Sequence, residues 1–304
     1  MRRTLTRQEL YDWLWEVPAS AVAAQLGISR ISLVRICRRA NIPLPDRAYR
    51  GLKRLGRALP RPPLPPRELG QHAELAIGRG PTRTPSDIEL LVRPLPAAPV
   101  FEGDERTVRA SISALIRHVP VPRTFAYCHR EVDKLLEADA ARSARGLRPL
   151  LASRMEMRRL RLLNALFNWA GGQGFACKAV APLGLRASIT VRDQAVPFAF
   201  ARWGEPDAAH DENAPMPEDA VMCLKLIWWQ PPPEVRLEWV DDDRHPLEAA
   251  LTEVAREIVF AAEWGYRWRI LCDHARLVER RAKLEGGAGA RRAGQPDVST
   301  SRAR

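Results

Sequence analysis

The run AAQLGISRISLVRICRRA, from Ala23 to Ala40, leaves its backbone little choice. Gly27 supplies the left-handed residue that closes one helix, and two positions later Ser29 is the residue type that caps the next. Helix, short turn and helix therefore follow in sequence, over about Ala19–Leu26 and Arg30–Ala40. The twenty residues from Ala19 to Arg38 also meet the helix-turn-helix frame at each anchor. Ala23 is the small residue that lets two helices cross closely, and Gly27 makes the turn. Val22, Leu26, Ile28, Leu33 and Ile36 occupy the apolar positions. At ~100° per residue, Leu33, Ile36, Cys37 and Ala40 share an inward face. Ile31, Arg35 and Arg38 lie opposite, flanked by Arg30 and Arg39.

An exposed row of two arginines and an isoleucine suits a DNA major groove. Arginine pairs with guanine, and an aliphatic side chain meets the thymine methyl. The spacing thus predicts base contacts from Ile31, Arg35 and Arg38. Phosphate contacts are expected from Ser29, Arg30 and Arg39. A solvated basic face on a small bundle, used for protein contact, is the alternative.

Upstream, Thr6 and Glu9 form a capping box that opens a helix running to about Glu16, and Pro18 sits where the next helix starts. Residues 1–45 are therefore expected to be a small all-α head. The charge supports a polyanion partner for this end. Residues 1–67 hold 14 Arg or Lys and 4 Asp or Glu, whereas the whole chain of 304 residues carries a net +12. That asymmetry points to nucleic acid. Double-stranded DNA is the expected partner.

From Pro43 the chain turns proline-rich and basic, which predicts an extended arm and linker over 46–103. Arg47, Arg50, Lys53, Arg54 and Arg57 are its candidate phosphate contacts, along the backbone or in a minor groove. PRPPLPP within it reads as a stiff spacer. Residues 104–152 predict a helical connector with helices over 104–118 and 129–142. Residues 153–285 predict an α+β domain: a helix from Ser153 to Gly171-Gly172, short strands over FACKAVAP, RASITVRD and AVPFAFARW, a polar loop over 205–219, then a hairpin from AVMCLKLIWW and EVRLEWVDDD. A helix from Pro246 to about Glu285, interrupted only by Gly265, ends the domain. Residues 286–304 predict a disordered basic tail.

Residues 4–67 resemble the N-terminal module of a group of uncharacterised bacterial helix-turn-helix proteins. The stretches that carry the resemblance are TRQELYDWLWEVPASAVAAQLGIS, RICRRANIPLPDRAY and PRPPLP. It implies a DNA-binding head. Where that group carries Gly-Tyr-Trp in its arm, this chain has Ala48-Tyr49-Arg50. The remainder resembles the group's C-terminal region more weakly, and that region brings no activity with it.

Signals for chemistry are few. Histidines 72, 118, 129, 210, 245 and 274 form no metal-ligand pattern. The five scattered cysteines form neither a disulfide framework nor a zinc ribbon. GGQG at 171–174 follows a helix and reads as its terminator. The carboxylates Glu238, Asp241, Asp242 and Asp243 could hold a divalent metal as in a nuclease, with Lys225 nearby; the alternative is a solvated turn leading into a helix that Asp243 caps. No cofactor and no metal are expected. No apolar run approaches the ~20 residues that cross a bilayer, and MRRTLTRQEL lacks the apolar stretch of a signal peptide, so a cytoplasmic protein with no membrane partner is expected.

The expected architecture is α+β: a helix-turn-helix head, a proline-rich arm, and an α+β domain ending in a long helix. The expected function is DNA binding, as a bacterial transcriptional regulator or a DNA-handling protein of a mobile element. A metal-dependent nuclease or recombination protein and a protein-interaction module are the alternatives. Leu247, Leu251, Val254, Ile258 and Ala261, extended by Trp268 and Ala275, keep the three- and four-residue steps of a helix–helix seam and suggest a homodimer.

Overall fold

A computed structural model describes residues 2–57, 60–78, 85–125, 127–204, 214–228, 231 and 234–293. His210, most of the loop expected over 205–219 and the tail from 294 onward lie outside them. The fold is α+β and ends in a long helix, as expected. The chain divides into two compact units. One comprises residues 1–65, 73–102 and 267–304, the other 66–72 and 103–266.

In the first unit, α1 (Arg7–Glu16), α2 (Ala19–Gln25) and α3 (Arg30–Arg39) form the expected three helices. The capping box holds: Glu9 N donates to Thr6 Oγ1 at 3.1 Å, and Thr6 N to Glu9 Oε2 at 2.7 Å. Leu10, Leu14, Val22 and Leu33 are fully buried at the centre of the core.

Three expectations for this region need correction. The head is not all-α: β1 (Arg3–Thr6) pairs antiparallel with β2 (Glu74–Ile77), Leu5 opposite Leu75. Leu75 and Ile77 complete the head's core, although the sequence puts them in the linker. Two alternating apolar residues amid prolines are too short a signal for a strand. Residues 46–57 are not an extended arm either. They contain α4 (Arg47–Arg54), capped by Asp46, whose Oδ1 accepts from Tyr49 N at 2.7 Å. Prolines 43 and 45 only fix the chain ahead of that cap, and none follows until Pro60. Tyr49 then packs edge-on against Trp15 at 4.6 Å. Nor is PRPPLPP a free spacer. Leu64 packs on the head core, and Tyr11 Oη donates to Pro62 O at 2.6 Å.

The unit also contains α5 (Asp87–Val92) and the distal half of α9 (Leu247–Ala293). Arg267, His274 and Arg281, spaced by one heptad each, bond carbonyl oxygens of Glu102, Pro96 and Arg93 at 2.7, 3.1 and 3.2 Å. Segment 85–102 thereby runs antiparallel along one face of the helix.

The second unit is a five-stranded antiparallel meander, β3 (Ala176–Ala179), β4 (Arg186–Val191), β5 (Gln194–Arg202), β6 (Met222–Leu226) and β7 (Glu238–Val240), in that order. Register sets Ile189 opposite Val196 and Phe200 opposite Leu224, which puts the large apolar side chains on one face. Into the same core pack α8 (Arg154–Gly172), capped by Ser153, and the proximal half of α9. So do α6 (Glu105–Leu115) and α7 (Arg130–Ala144), through Val108, Ile112, Val132 and Leu135. Residues 104–152 are thus part of this domain's core and not a separate connector.

Along α9, Leu247, Leu251, Val254, Ile258 and Ala261 are each 0% exposed. The 247–261 part of the stripe expected to form a dimer seam is spent on the core of its own domain, whereas Trp268 and Ala275, its expected extension, are exposed. Gly265 does not interrupt the helix. A Cβ there would stand 2.5 Å from Cη2 of Trp228, so the glycine makes room for an indole. The helix continues to Ala293, past the expected end at Glu285 and into the segment expected to be disordered. Among the described residues, no single helix is long and apolar enough to cross a membrane.

Candidate nucleic-acid interface

The turn between α2 and α3 is a pair of caps. Ile28 N donates to Ala23 O at 3.0 Å and Gly27 N to Ala24 O at 3.1 Å, the Schellman arrangement, with Gly27 at φ +65°. Ser29 then caps α3, its Oγ accepting from Ser32 N at 3.1 Å. The two helix axes differ by 99°, within the range for helix-turn-helix pairs. Ala23 lies buried at the crossing with Val22, Leu26 and Leu33, while Ile28 and Ile36 are half-buried against them.

The far end of α3 is held as firmly. Asn41, at φ 51°, closes a second Schellman arrangement in which Ile42 N donates to Cys37 O at 2.8 Å. The buried Arg7 crosses from α1, donating through Nε to Ala40 O at 2.8 Å and through Nη2 to Asn41 O and Pro65 O at 3.3 and 3.0 Å. A cation on the last carbonyls of a helix opposes its dipole and fills its orphan acceptors. Arg7 is a positioning residue that sequence reasoning missed. Its partners lie 33 to 58 residues away, and no local pattern encodes them.

With both ends fixed, α3 presents the expected face. Ser29, Arg30, Ile31, Arg35, Arg38 and Arg39 are all exposed, Ile31 by 67%. Among the described residues, no hydrogen bond or ion pair engages the side chains of Arg30, Arg35 or Arg38. The Ser29 hydroxyl is occupied by its cap and by a 2.9 Å bond to Ser32 Oγ.

The basic residues of α4 split. Arg50 donates to Leu14 O and Val17 O at 3.3 and 3.5 Å. Lys53 donates to Trp15 O at 2.8 Å and to Glu16 Oε2 at 3.1 Å. Both therefore cap the C-terminus of α1, where Glu16 also pairs with Arg61. These contacts hold the carboxyl of Glu16 below its ordinary range, the Arg61 and Lys53 hydrogen bonds being the largest cause. Arg47, Arg54 and Arg57 are exposed.

The acidic run in the second unit is committed elsewhere. Arg158 on α8 grips Glu248 through Nε at 2.8 Å and Asp241 through Nη2 at 2.9 Å. Asp241, and not Asp243, serves α9, its Oδ1 accepting from Leu247 N at 3.0 Å. Asp242 closes its own turn, accepting from the backbone of Arg244 and His245 at 2.7 and 2.6 Å. Glu238 pairs with Lys225 at 3.2 Å. Among the described residues, no group of three or more His, Cys, Asp or Glu could hold a metal ion. GGQG ends α8, with Gly174 at φ +72°. His129 caps α7 and packs on Phe167 at 5.1 Å. Burial pushes the thiols of Cys37, Cys128, Cys177 and Cys223 up to about 12, well above a reactive range.

Compared with models of known protein families, with curated proteins and with solved structures, this chain matches none.

Proposed function

We propose that the N-terminal head binds double-stranded DNA with α3 in the major groove, and that the protein is a bacterial transcriptional regulator or a DNA-handling protein of a mobile element. One observation carries the reading. A helix capped firmly at both ends turns Ile31, Arg35 and Arg38 to solvent in one row, and the described residues leave both guanidinium groups unpaired. Charged groups with no intramolecular task on a rigid element are what base readout requires. Arg30 and Arg39 flank that row at the positions for phosphates, and Arg47 and Arg54 add two cations from α4. Arg50 and Lys53 drop out of the footprint, because they cap α1. The reading includes a homodimer, whose seam cannot be the buried 247–261 stripe.

The test begins with the full chain and a pool of random duplexes, from which a preferred site is selected. Arg35→Ala and Arg38→Ala should each lose about 1–3 kcal/mol of preference for that site. Arg30→Ala and Arg39→Ala should weaken all duplexes evenly, and Ile31→Ala should act at a position bearing thymine. Equal losses on selected and random DNA from all five variants would remove α3 from the groove. Absence of a salt-sensitive complex with any duplex would remove the DNA reading altogether.

A further inference from the structure

Beyond Tyr266, which is 4% exposed, α9 changes character. Trp268, Leu271, Ala275, Val278 and Ala282 follow steps of three, four, three and four residues, and every one of them is exposed. The three large ones are exposed by 43%, 43% and 40%. The neighbouring face of the same half-helix is already covered. Arg267, His274 and Arg281 hold segment 85–102 along it, and Leu277 lines a concavity with Pro85, Leu90 and Leu95. A soluble helix has no internal reason to keep a strict heptad stripe in water.

We infer that this distal stripe of α9 is the seam of a homodimer, formed by two copies of the chain pairing as a short parallel coiled coil. The occupant follows from the pattern. With Trp268, Ala275 and Ala282 at a and Leu271 and Val278 at d, each layer is self-complementary, as a two-fold interface requires. Alanine at a lets the helices approach, and Leu271 and Val278 at d fill the layers between them. The flanking charges choose the direction. In a parallel pair, Glu279 at e of one copy, which Lys283 of its own chain holds at 2.6 Å, comes beside His274 at g of the other, whose Nδ1 is left over from the bond that Nε2 makes to Pro96 O. An antiparallel pair would set His274 against Arg281, both basic. Size sets the strength. Three partly exposed side chains and two alanines offer on the order of a few hundred Å² per copy, short of the ~800 Å² of a standard interface. The dimer is therefore weak and reversible. The inference supplies the seam for the homodimer of the DNA reading, and because its test contains no DNA, its failure leaves the DNA contacts of α3 to be judged by their own test.

Sedimentation velocity of the full chain from about 5 to about 200 μM, which brackets a dissociation constant in the tens of micromolar, should show monomer passing to dimer. Leu271→Glu with Val278→Glu changes exposed positions only, so the variant should keep its circular dichroism and stay monomeric throughout. Leu271→Cys, oxidised under native conditions, should give a covalent dimer, since parallel pairing brings the two d positions together. A wild-type chain that remains monomeric at the top concentration overturns the inference and leaves the stripe to a different protein. A dimer that survives the two glutamates also overturns it by moving the interface elsewhere, and a dimer whose Leu271→Cys variant does not cross-link overturns the parallel register.

Discussion

The cations of α4 divide into two pairs by what lies within their reach, and the division can be measured. Arg50 and Lys53 bond the terminal carbonyls of α1, whereas Arg47 and Arg54 are exposed. Consider Arg47→Ala with Arg54→Ala in one variant, and Arg50→Ala with Lys53→Ala in another. Both remove two positive charges from the same eight-residue helix, so net charge cannot separate them. If Arg30, Arg39, Arg47 and Arg54 each neutralise one phosphate, the logarithm of affinity falls with that of salt at a slope of about −3.6, or about 150-fold between 50 and 200 mM. Losing Arg47 and Arg54 should halve that slope to about −1.8 and leave unfolding unchanged. Losing Arg50 and Lys53 should leave the slope near its original value. It should lower the stability of the head by about 2 kcal/mol, after discounting charge-assisted bonds for the 40% exposure of Lys53. Fluorescence anisotropy of a labelled duplex across a salt series reads the first quantity, and urea unfolding followed by tryptophan fluorescence reads the second. If the two variants shift the slope equally, or if the Arg50/Lys53 variant binds more weakly at full stability, the partition is wrong.

Two further outcomes test the second unit. Gly265→Ala trades a better helix former for a clash with the Trp228 ring, so it should destabilise by about 1–2 kcal/mol even though alanine is favoured in helices by about 1 kcal/mol; a raised melting temperature would contradict the packing. Arg158 holds the carboxyl of Glu248 below its ordinary range, chiefly through a direct hydrogen bond. A depressed carboxylate contributes stability above its unfolded value of about 4.3 and loses it as pH falls through the folded value. Arg158→Met should therefore cost about 2 kcal/mol at pH 7 and progressively less below pH 4, as read from urea midpoints across pH.

How much of this was legible in the sequence depended on how local each signal was. The α2–turn–α3 unit was fully legible, because Gly27, Ser29 and the apolar anchors lie within twenty residues and each acts on its neighbours. The exposed row on α3 followed from the same periodicity. What escaped was assembled from distant segments. The strand Glu74–Ile77 means nothing until β1 pairs with it. Arg7 is an unremarked first-turn residue until the carbonyls of Ala40, Asn41 and Pro65 arrive around it. Arg50 and Lys53 look the same in sequence as Arg47 and Arg54. Only α1, ending beside two of them, turns those two into caps.

The long helix carries the same lesson in a sharper form, because one periodicity serves two ends within it. From Leu247 to Ala261 and again from Trp268 to Ala282, α9 repeats apolar residues at steps of three and four. A period reports only that a face is meant to be covered, since hydrophobic burial is non-directional and indifferent to which chain provides the cover. In the first half the cover is the domain's own core, and the five stripe residues are fully buried. In the second half one face receives segment 85–102, through arginines and a histidine that bond backbone carbonyls, and the apolar stripe beside it stays exposed. Gly265 lies between the two stripes, and its role is set by Trp228 and not by the helix. A seam read from spacing therefore has to be located by burial. Burial removes 247–261 from the proposed dimer contact and leaves the half that holds Trp268 and Ala275, over 268–282, where a substitution at Leu271 can break it without opening a core.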